Sequence, residues 1–138
     1  MRLSRQDRLG WICAAFANTI HTSQEKSGDG PWREVTRSTF FDSLHQDFVD
    51  AYIVATGAGF TPKILGAPAC DQLIRDLKEL HGQGVLTRHR SGVQGMGSGW
   101  PKWVWAYRVA DGRVDECRRR AERFKALHPG VNNWARLA

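Results

Sequence analysis

The sequence predicts an α+β fold that is mainly α-helical with one small β-hairpin, in a single domain over residues 1–138. Several segments carry apolar residues at the three-to-four spacing of a helix, and residues 102–109 alternate apolar and polar as a strand does. The hydrophobic content of 41% suits a globular chain with a buried core. No run reaches the roughly 20 apolar residues of a membrane span, so we expect no membrane protein.

The N-terminal part of the chain predicts two helices joined by a loop. The N-terminal segment, residues 1–21, predicts a first helix over about residues 5–21. Ser4 is a candidate N-cap before an apolar stripe at helical spacing. Residues 22–36 are polar and glycine-rich, which predicts an exposed loop. A wide apolar stripe then predicts a second helix over about 37–56.

The next segment predicts a pair of helices with a tight turn between them. Thr61 and Pro62 form a favourable helix entry, but the helix that they open, about 61–66, is closed by Gly66 after little more than one turn. Pro68 opens a longer helix over 68–81. Its predicted buried face consists of Leu73, Ile74, Leu77 and Leu80.

A β-hairpin with a flexible tip is predicted after this helix. Residues 85–90 have strand character, and residues 91–99 contain four glycines. The second strand is expected to place its larger apolar side chains on one face, which covers the helices. These side chains are Trp103, Trp105, Tyr107 and Val109.

The last predicted helix covers about residues 111–128, with Asp111 as its candidate cap. Its apolar seam has two possible partners: the first helix of the same chain, or a symmetry mate. We favour the second and expect a homodimer through the N- or C-terminal helices. The seam consists of Val114, Cys117, Ala121, Phe124 and His128.

The excess of positive charge lies in the C-terminal part of the chain. Residues 1–87 hold 9 basic and 10 acidic side chains, whereas residues 88–138 hold 11 basic and 4 acidic ones. Fifteen of the 20 basic residues are arginine, whose planar group of donors suits phosphates and guanine edges. A polyanionic partner is therefore expected, although an arginine-rich composition alone also gives a basic protein.

Catalysis and metal binding find little support in the sequence. Cys13, Cys70 and Cys117 are widely spaced and form no metal-ligand motif, which predicts small buried thiols in a reducing, cytoplasmic environment. The five histidines are scattered, and residues 92–99 lack the Lys-Ser/Thr ending of a phosphate-binding loop. We therefore expect no enzyme, no cofactor and no metal.

The order of helix, short helix, turn, helix, strand, glycine-rich tip and strand resembles the winged helix-turn-helix superfamily. The resemblance covers about residues 40–109, and residues 37–109 form the predicted core between the extra N- and C-terminal helices. Its most specific part is the segment CDQLIRDLKELHGQGVLTR, residues 70–88, which resembles a recognition helix that leads into the first strand of the wing. This resemblance implies a small transcriptional or replication regulator that binds double-stranded DNA and is associated with the nucleoid.

On this interpretation helix 68–81 enters the major groove and the wing, 91–101, contacts the backbone or minor groove. Gln72 and Arg75 are the candidate base readers. The other candidates, expected mainly at phosphates, are Lys63, Arg88, Arg90, Gln94, Lys102, Arg118 and Arg119.

One observation argues against groove reading, because helix 68–81 is itself net acidic. It holds Asp71, Asp76 and Glu79 against Arg75 and Lys78. The i,i+4 spacing of Arg75 and Glu79 also allows a local ion pair in place of a DNA contact. An alternative is therefore a winged-helix module that binds a protein partner. A weaker alternative is single-stranded nucleic-acid binding through the tryptophans of the hairpin.

Overall fold

The structure, a computed structural model, describes residues 2–18, 20, 33–35, 43–62, 68–92 and 103–137. Within these ranges the chain forms four α-helices, three β-strands and one 3₁₀ helix. In chain order they are α1 (Arg5–Ala17), β1 (Arg33–Val35), α2 (Ser43–Thr56), α3 (Asp71–Gly82), β2 (Leu86–Gly92), β3 (Trp103–Val109), α4 (Val114–Leu127) and the 3₁₀ helix Asn133–Arg136. The predicted α+β class is confirmed.

The three strands form one antiparallel sheet in the order β1-β3-β2. The predicted hairpin is confirmed, with Leu86 opposite Val109 and Arg88 opposite Tyr107. The expectation of an exposed loop over 22–36 is wrong at its end, because β1 pairs with β3 there. Three residues within a polar stretch carry no alternation of their own, so only the partner strand makes this segment a strand.

Helix α1 is the centre of the core. Residues 11–16 are all buried, and Trp11 packs edge-on against Phe48 and Tyr52 of α2, with ring centroids 5.7 and 5.8 Å apart. A helix that is apolar on nearly all sides must be covered on all sides, and α2, α3 and α4 all contact it. The predicted cap is confirmed, since the Ser4 hydroxyl accepts a hydrogen bond from the Asp7 N–H at 3.2 Å. The helix ends at Ala17, before the predicted residue 21.

The segment before α3 differs from its prediction. Thr61 and Ala69 form a β-bridge with two backbone hydrogen bonds of 2.9 Å. Helix α3 therefore begins at Asp71, three residues after the predicted start. Most of the predicted short helix 61–66 lies outside the described residues, as do residues 37–42 of the predicted second helix.

Helix α4 docks on α1. Of the two partners that the sequence left open for its apolar seam, the structure therefore shows the first helix of the same chain and not the favoured symmetry mate. The side chains of Cys117, Ala121 and Phe124 are buried, and the Cys117 thiol lies 3.5 Å from the carbonyl oxygen of Cys13. All three cysteines are free and buried, as predicted. Asp111 is not the cap: it forms a turn with Gly112, at φ 75°, and α4 begins at Val114.

The segment after α4 was not predicted to be ordered, and it returns to the core. The Asn133 side chain donates to the Ala51 carbonyl at 2.8 Å and accepts from the Trp11 indole at 2.9 Å. Leu137, near the end of this segment, is also buried. The C-terminal segment therefore holds α1 and α2 together through side chains that no local sequence pattern indicates.

Candidate nucleic-acid interface

The inward face of α3 contains three leucines and one acid. Leu73, Leu77 and Leu80 are buried as predicted, and Asp76 is buried with them, at 4% exposure. The spacing of three to four residues places all four on the side that faces α1 and α2. A buried carboxylate is costly unless it is paired, so the partners of Asp76 decide how α3 is held.

Asp76 receives hydrogen bonds from two other helices. The Arg8 guanidinium of α1 donates to its two oxygens, at 2.9 and 3.3 Å, and the Tyr52 hydroxyl of α2 donates at 2.5 Å. Burial, followed by the hydrogen bond to Asp76, raises the pKa of Tyr52, and the Asp76 hydrogen bond raises the pKa of Arg8. The phenol therefore stays a donor and the guanidinium stays charged, and the three groups tie α3 to α1 and α2.

Another acid of α3, Glu79, is also directed to α1. It is paired with Arg5, and Gln83 donates to the same oxygen at 3.3 Å. The local pair between Glu79 and Arg75 that the sequence allows is therefore not formed. Arg5 and Arg8 are three residues apart on α1, as Asp76 and Glu79 are on α3, so two ion pairs match across an antiparallel contact.

The outward face of α3 carries mainly positive side chains, whereas the inward face carries a negative one. Asp71, Arg75 and Lys78 are exposed at helical spacing, and Gln72 is half-buried beside them. Asp71 lies at the first position of the helix, where the helix dipole favours an acid. Among the described residues, neither Arg75 nor Lys78 forms an ion pair. Lys78 was not among the predicted site residues, although its spacing of three from Arg75 marks the same face.

Two arginines of β2 are grouped around one aromatic ring. The Arg88 guanidinium lies over the ring of Trp105, 4.0 Å from its centroid, and donates to the Tyr107 hydroxyl at 3.3 Å. Arg90 is exposed, with its guanidinium 5.7 Å from the same centroid. Such stacking holds a guanidinium in place without neutralising it. The candidates Arg88 and Arg90 are therefore brought together on one face of the hairpin.

The end of α3 lies close to this group. His81, in the last turn of α3, has a pKa lowered first by burial and then by the positive charge of Arg88. Gly84, at φ 78°, forms the turn that leads from α3 towards β2. The cations of α3 and those of the hairpin thus belong to neighbouring elements.

Two further candidates lie on another element of the fold. Arg118 is half-buried and Arg119 exposed on α4, whose main contacts are with α1. Lys63, Gln94 and Lys102 lie outside the described residues, as does Trp100.

Other cations in α4, and Arg113 just before it, are engaged by acids of this helix. Glu116 pairs with Arg113 and, at 3.3 Å, with Arg120; Glu122 pairs with Lys125 at 3.1 Å. The hydrogen bond from Arg113 lowers the pKa of Glu116, so this carboxylate stays ionised.

No cluster of His, Cys, Asp or Glu able to hold a metal ion occurs in the described ranges. None of the described helices is long and apolar enough to cross a membrane. Comparison of the chain with protein-family models, with curated proteins and with solved structures gives no match. The class of protein must therefore be argued from the geometry alone.

Proposed function

We propose that this chain is a double-stranded DNA-binding protein of winged helix-turn-helix type, a small regulator without catalytic activity that acts in the cytoplasm at the nucleoid. The observation that carries the proposal is the separation of charge on α3. Two of its three acids, the buried Asp76 and the half-buried Glu79, are paired with arginines of α1, and its outward face presents Arg75 and Lys78 beside Asp71. Most of the acidity that argues against groove binding is therefore compensated by α1.

The dimensions of α3 suit this role. A helix of 12 residues is about 18 Å long and fits the major groove, which is about 12 Å wide. Arg75 lies in the second turn of the helix and Gln72 in the first, and N-terminal residues of a recognition helix reach base edges. We assign base contacts to these two residues and a phosphate contact to Lys78.

The hairpin supplies the second half of the proposed interface. The Arg88 guanidinium lies over Trp105 and acts on His81 at the end of α3, and the Arg90 guanidinium lies near the same ring. We assign them to the phosphates that flank the groove, together with Lys102 at the base of the wing. Gln94, Lys63, Arg118 and Arg119 remain predicted additional contacts.

The proposed homodimer needs a surface other than the buried seam of α4. Cys117, Ala121 and Phe124 are covered by α1, so a second copy cannot use them without opening the fold. Sedimentation of the free protein and of its duplex complex would show whether one or two chains bind each site.

Fluorescence anisotropy tests the proposal on a labelled random-sequence duplex and its matching single strand, between about 50 and 200 mM salt. We expect duplex binding that weakens steeply with salt. Lys78→Glu is expected to reduce the magnitude of the salt slope by about one unit or more and to weaken binding at all sequences. Arg136→Glu is the matched control, because it changes the net charge equally at an exposed position of the 3₁₀ helix.

A selected binding site then separates base reading from phosphate contact. Arg75→Ala is expected to cost about 1 to 3 kcal/mol at the selected site and to relax its sequence preference. Arg88→Ala should weaken all sequences alike. Equal effects of Lys78→Glu and Arg136→Glu would contradict the assignment of α3 to the groove.

Two other results would redirect the proposal. Absence of duplex binding even at the lowest salt concentration would favour the protein-interaction module. Tighter binding to the single strand, lost in Trp100→Ala, would favour base stacking on the hairpin. The Arg88 guanidinium already covers one face of the Trp105 ring, which argues against stacking of a base on that face.

A further inference from the structure

A groove of about 660 Å³ opens between α1, α3 and α4, apart from the outward face of α3. Sites for small organic ligands have volumes of roughly 300 to 1,000 Å³. The groove is lined by Gly10 of α1, by Gln83 just after α3, and by Phe124 and Leu127 of α4. Its size and its position between three helices are those of a ligand site.

The floor of the groove is apolar. Phe124 is 2% exposed and packs against α1 at Gly10, where a Cβ atom would stand 3.0 Å from the Cβ of Phe124. Leu127 is 57% exposed at the same groove, one of the few large apolar side chains of the described residues left in water. A ligand that covers Leu127 removes this apolar surface from water, which favours an apolar body.

One positively charged side chain at the groove has no acidic partner among the described residues. Of the acids that line it, Glu79 is paired with Arg5, and Asp7 lies 3.0 Å from the His128 imidazole. Among the described residues Arg123 forms no ion pair, and it is exposed.

A second cation of the groove, Arg120, is held in place. Its guanidinium donates to the Gln83 side chain at 2.7 Å and pairs with Glu116 at 3.3 Å. A guanidinium has five N–H donors, so two partners do not exhaust it. Arg123 and the remaining donors of Arg120 therefore favour an anionic group on the ligand.

We propose that this groove binds a small organic anion with an aromatic or aliphatic body, such as an aromatic carboxylate or sulfonate. The apolar body lies against Phe124 and Leu127, and the anionic group contacts Arg123, with Arg120 as second donor. The inference goes beyond DNA binding, and it is tested without DNA, so the failure of either proposal leaves the other standing.

The test uses the full chain and anilinonaphthalene sulfonate, an aromatic sulfonate, as the probe. We expect one molecule per chain by calorimetry, with amide NMR shifts at Gly10 and Gln83. Arg123→Glu is expected to weaken binding by about tenfold or more. The matched control is Arg119→Glu, an exposed arginine of the same helix outside the groove, and it should change binding less than about twofold. Leu127→Asn should weaken binding without removing the preference for an anion.

Three results would overturn the inference. One is undiminished binding in Arg123→Glu, and another is equal binding of the uncharged naphthylamine parent compound. The third is the absence of binding, or binding of many probe molecules without shifts at Gly10 and Gln83. Circular dichroism of each variant shows whether it keeps the helical fold, so a loss of binding by unfolding is recognised directly.

Discussion

Helices α3 and α4 both dock on α1, but by different physical means. Helix α3 combines buried leucines with an ion pair between the buried Asp76 and the partly buried Arg8, whereas α4 uses close apolar contact, with Phe124 against Gly10. The treatment of charge differs accordingly. Asp76 and Glu79 of α3 pair with arginines of another helix, while Glu116 and Glu122 of α4 pair with cations of α4 itself.

This difference shows that the net charge of a helix does not tell which charge it presents. Helix α3 is net acidic, with three acids and two cations, yet its outward cations Arg75 and Lys78 are not paired with them. Helix α4 is net basic, with five cations and three acids, yet Glu116 and Glu122 hold part of its positive charge. Whether each acid faces another helix or solvent determines the charge of the surface that a polyanion contacts.

The largest expected effect comes from removing the carboxylate that holds α3. Asp76→Ala leaves the Arg8 guanidinium and the Tyr52 hydroxyl without their common acceptor. Loss of one partner of a buried ion pair typically costs about 3 to 5 kcal/mol, and we expect a loss of that size in urea unfolding. Asp115→Asn, in the exposed first turn of α4, should cost less than about 1 kcal/mol. Similar losses in the two variants would show that the buried pair does not hold α3.

The contact of α4 with α1 is tested by Gly10→Ala. The added Cβ meets the Cβ of Phe124 at 3.0 Å, and overpacking of this kind costs about 1 to 3 kcal/mol. Alanine gains about 1 kcal/mol of helix propensity, so we expect a net loss of roughly 1 kcal/mol in thermal or urea unfolding. Gly82→Ala at the end of α3 is the control, because no atom lies within 4 Å of its Cβ position and stability should stay or rise. A gain in stability in both variants would mean that α1 and α4 can move apart at little cost.

Local patterns were sufficient to predict the helices and the hairpin. Periodicity marked the inward leucines of α3, and alternation marked Tyr107 and Val109, because both signals depend on neighbours within a few residues. Strand β1 was missed since its pairing with β3 spans about seventy residues. The bridge between Thr61 and Ala69 shortened α3 through a local backbone pairing that helical periodicity does not register, and the turn at Gly112 displaced the cap of α4.

The candidate site was predicted less completely than the fold. Residue types and positions suggested Arg75 and Arg88, but the direction of Asp76 follows from Arg8, 68 residues away along the chain. The matched spacing of Arg5 with Arg8 and of Asp76 with Glu79 was present in the sequence. Only the antiparallel contact of two helices reveals that these pairs meet and that they leave Lys78 without an acidic partner among the described residues.

A smaller effect is expected when the charge pairing inside α4 is opened. Glu116→Gln removes the acid that holds Arg113 and Arg120, so we expect the magnitude of the salt slope of duplex binding to rise by about one unit. Glu122→Gln changes the net charge equally, but its partner Lys125 also lies over the Trp134 ring, 4.3 Å from the centroid, and should stay there. Identical slopes in the two variants would show that only net charge matters and that the comparison between α3 and α4 has no bearing on binding.

The smallest effect concerns His81 at the end of α3. Burial and the charge of Arg88 lower its pKa below the ordinary value of 6.5, so the folded chain binds this proton less readily than the unfolded chain. The contribution of His81 to stability is therefore complete above pH 6.5 and is lost as the pH falls through its folded-state pKa.

NMR titration should show this lowered pKa, and Arg88→Gln should raise it only in part, because burial is the larger cause. Complete return to the ordinary value would make the charge of Arg88 the larger cause. A His81 pKa at or above 6.5 would mean that the cations of the hairpin are not close to the end of α3, and the two halves of the proposed interface would then have to be separated.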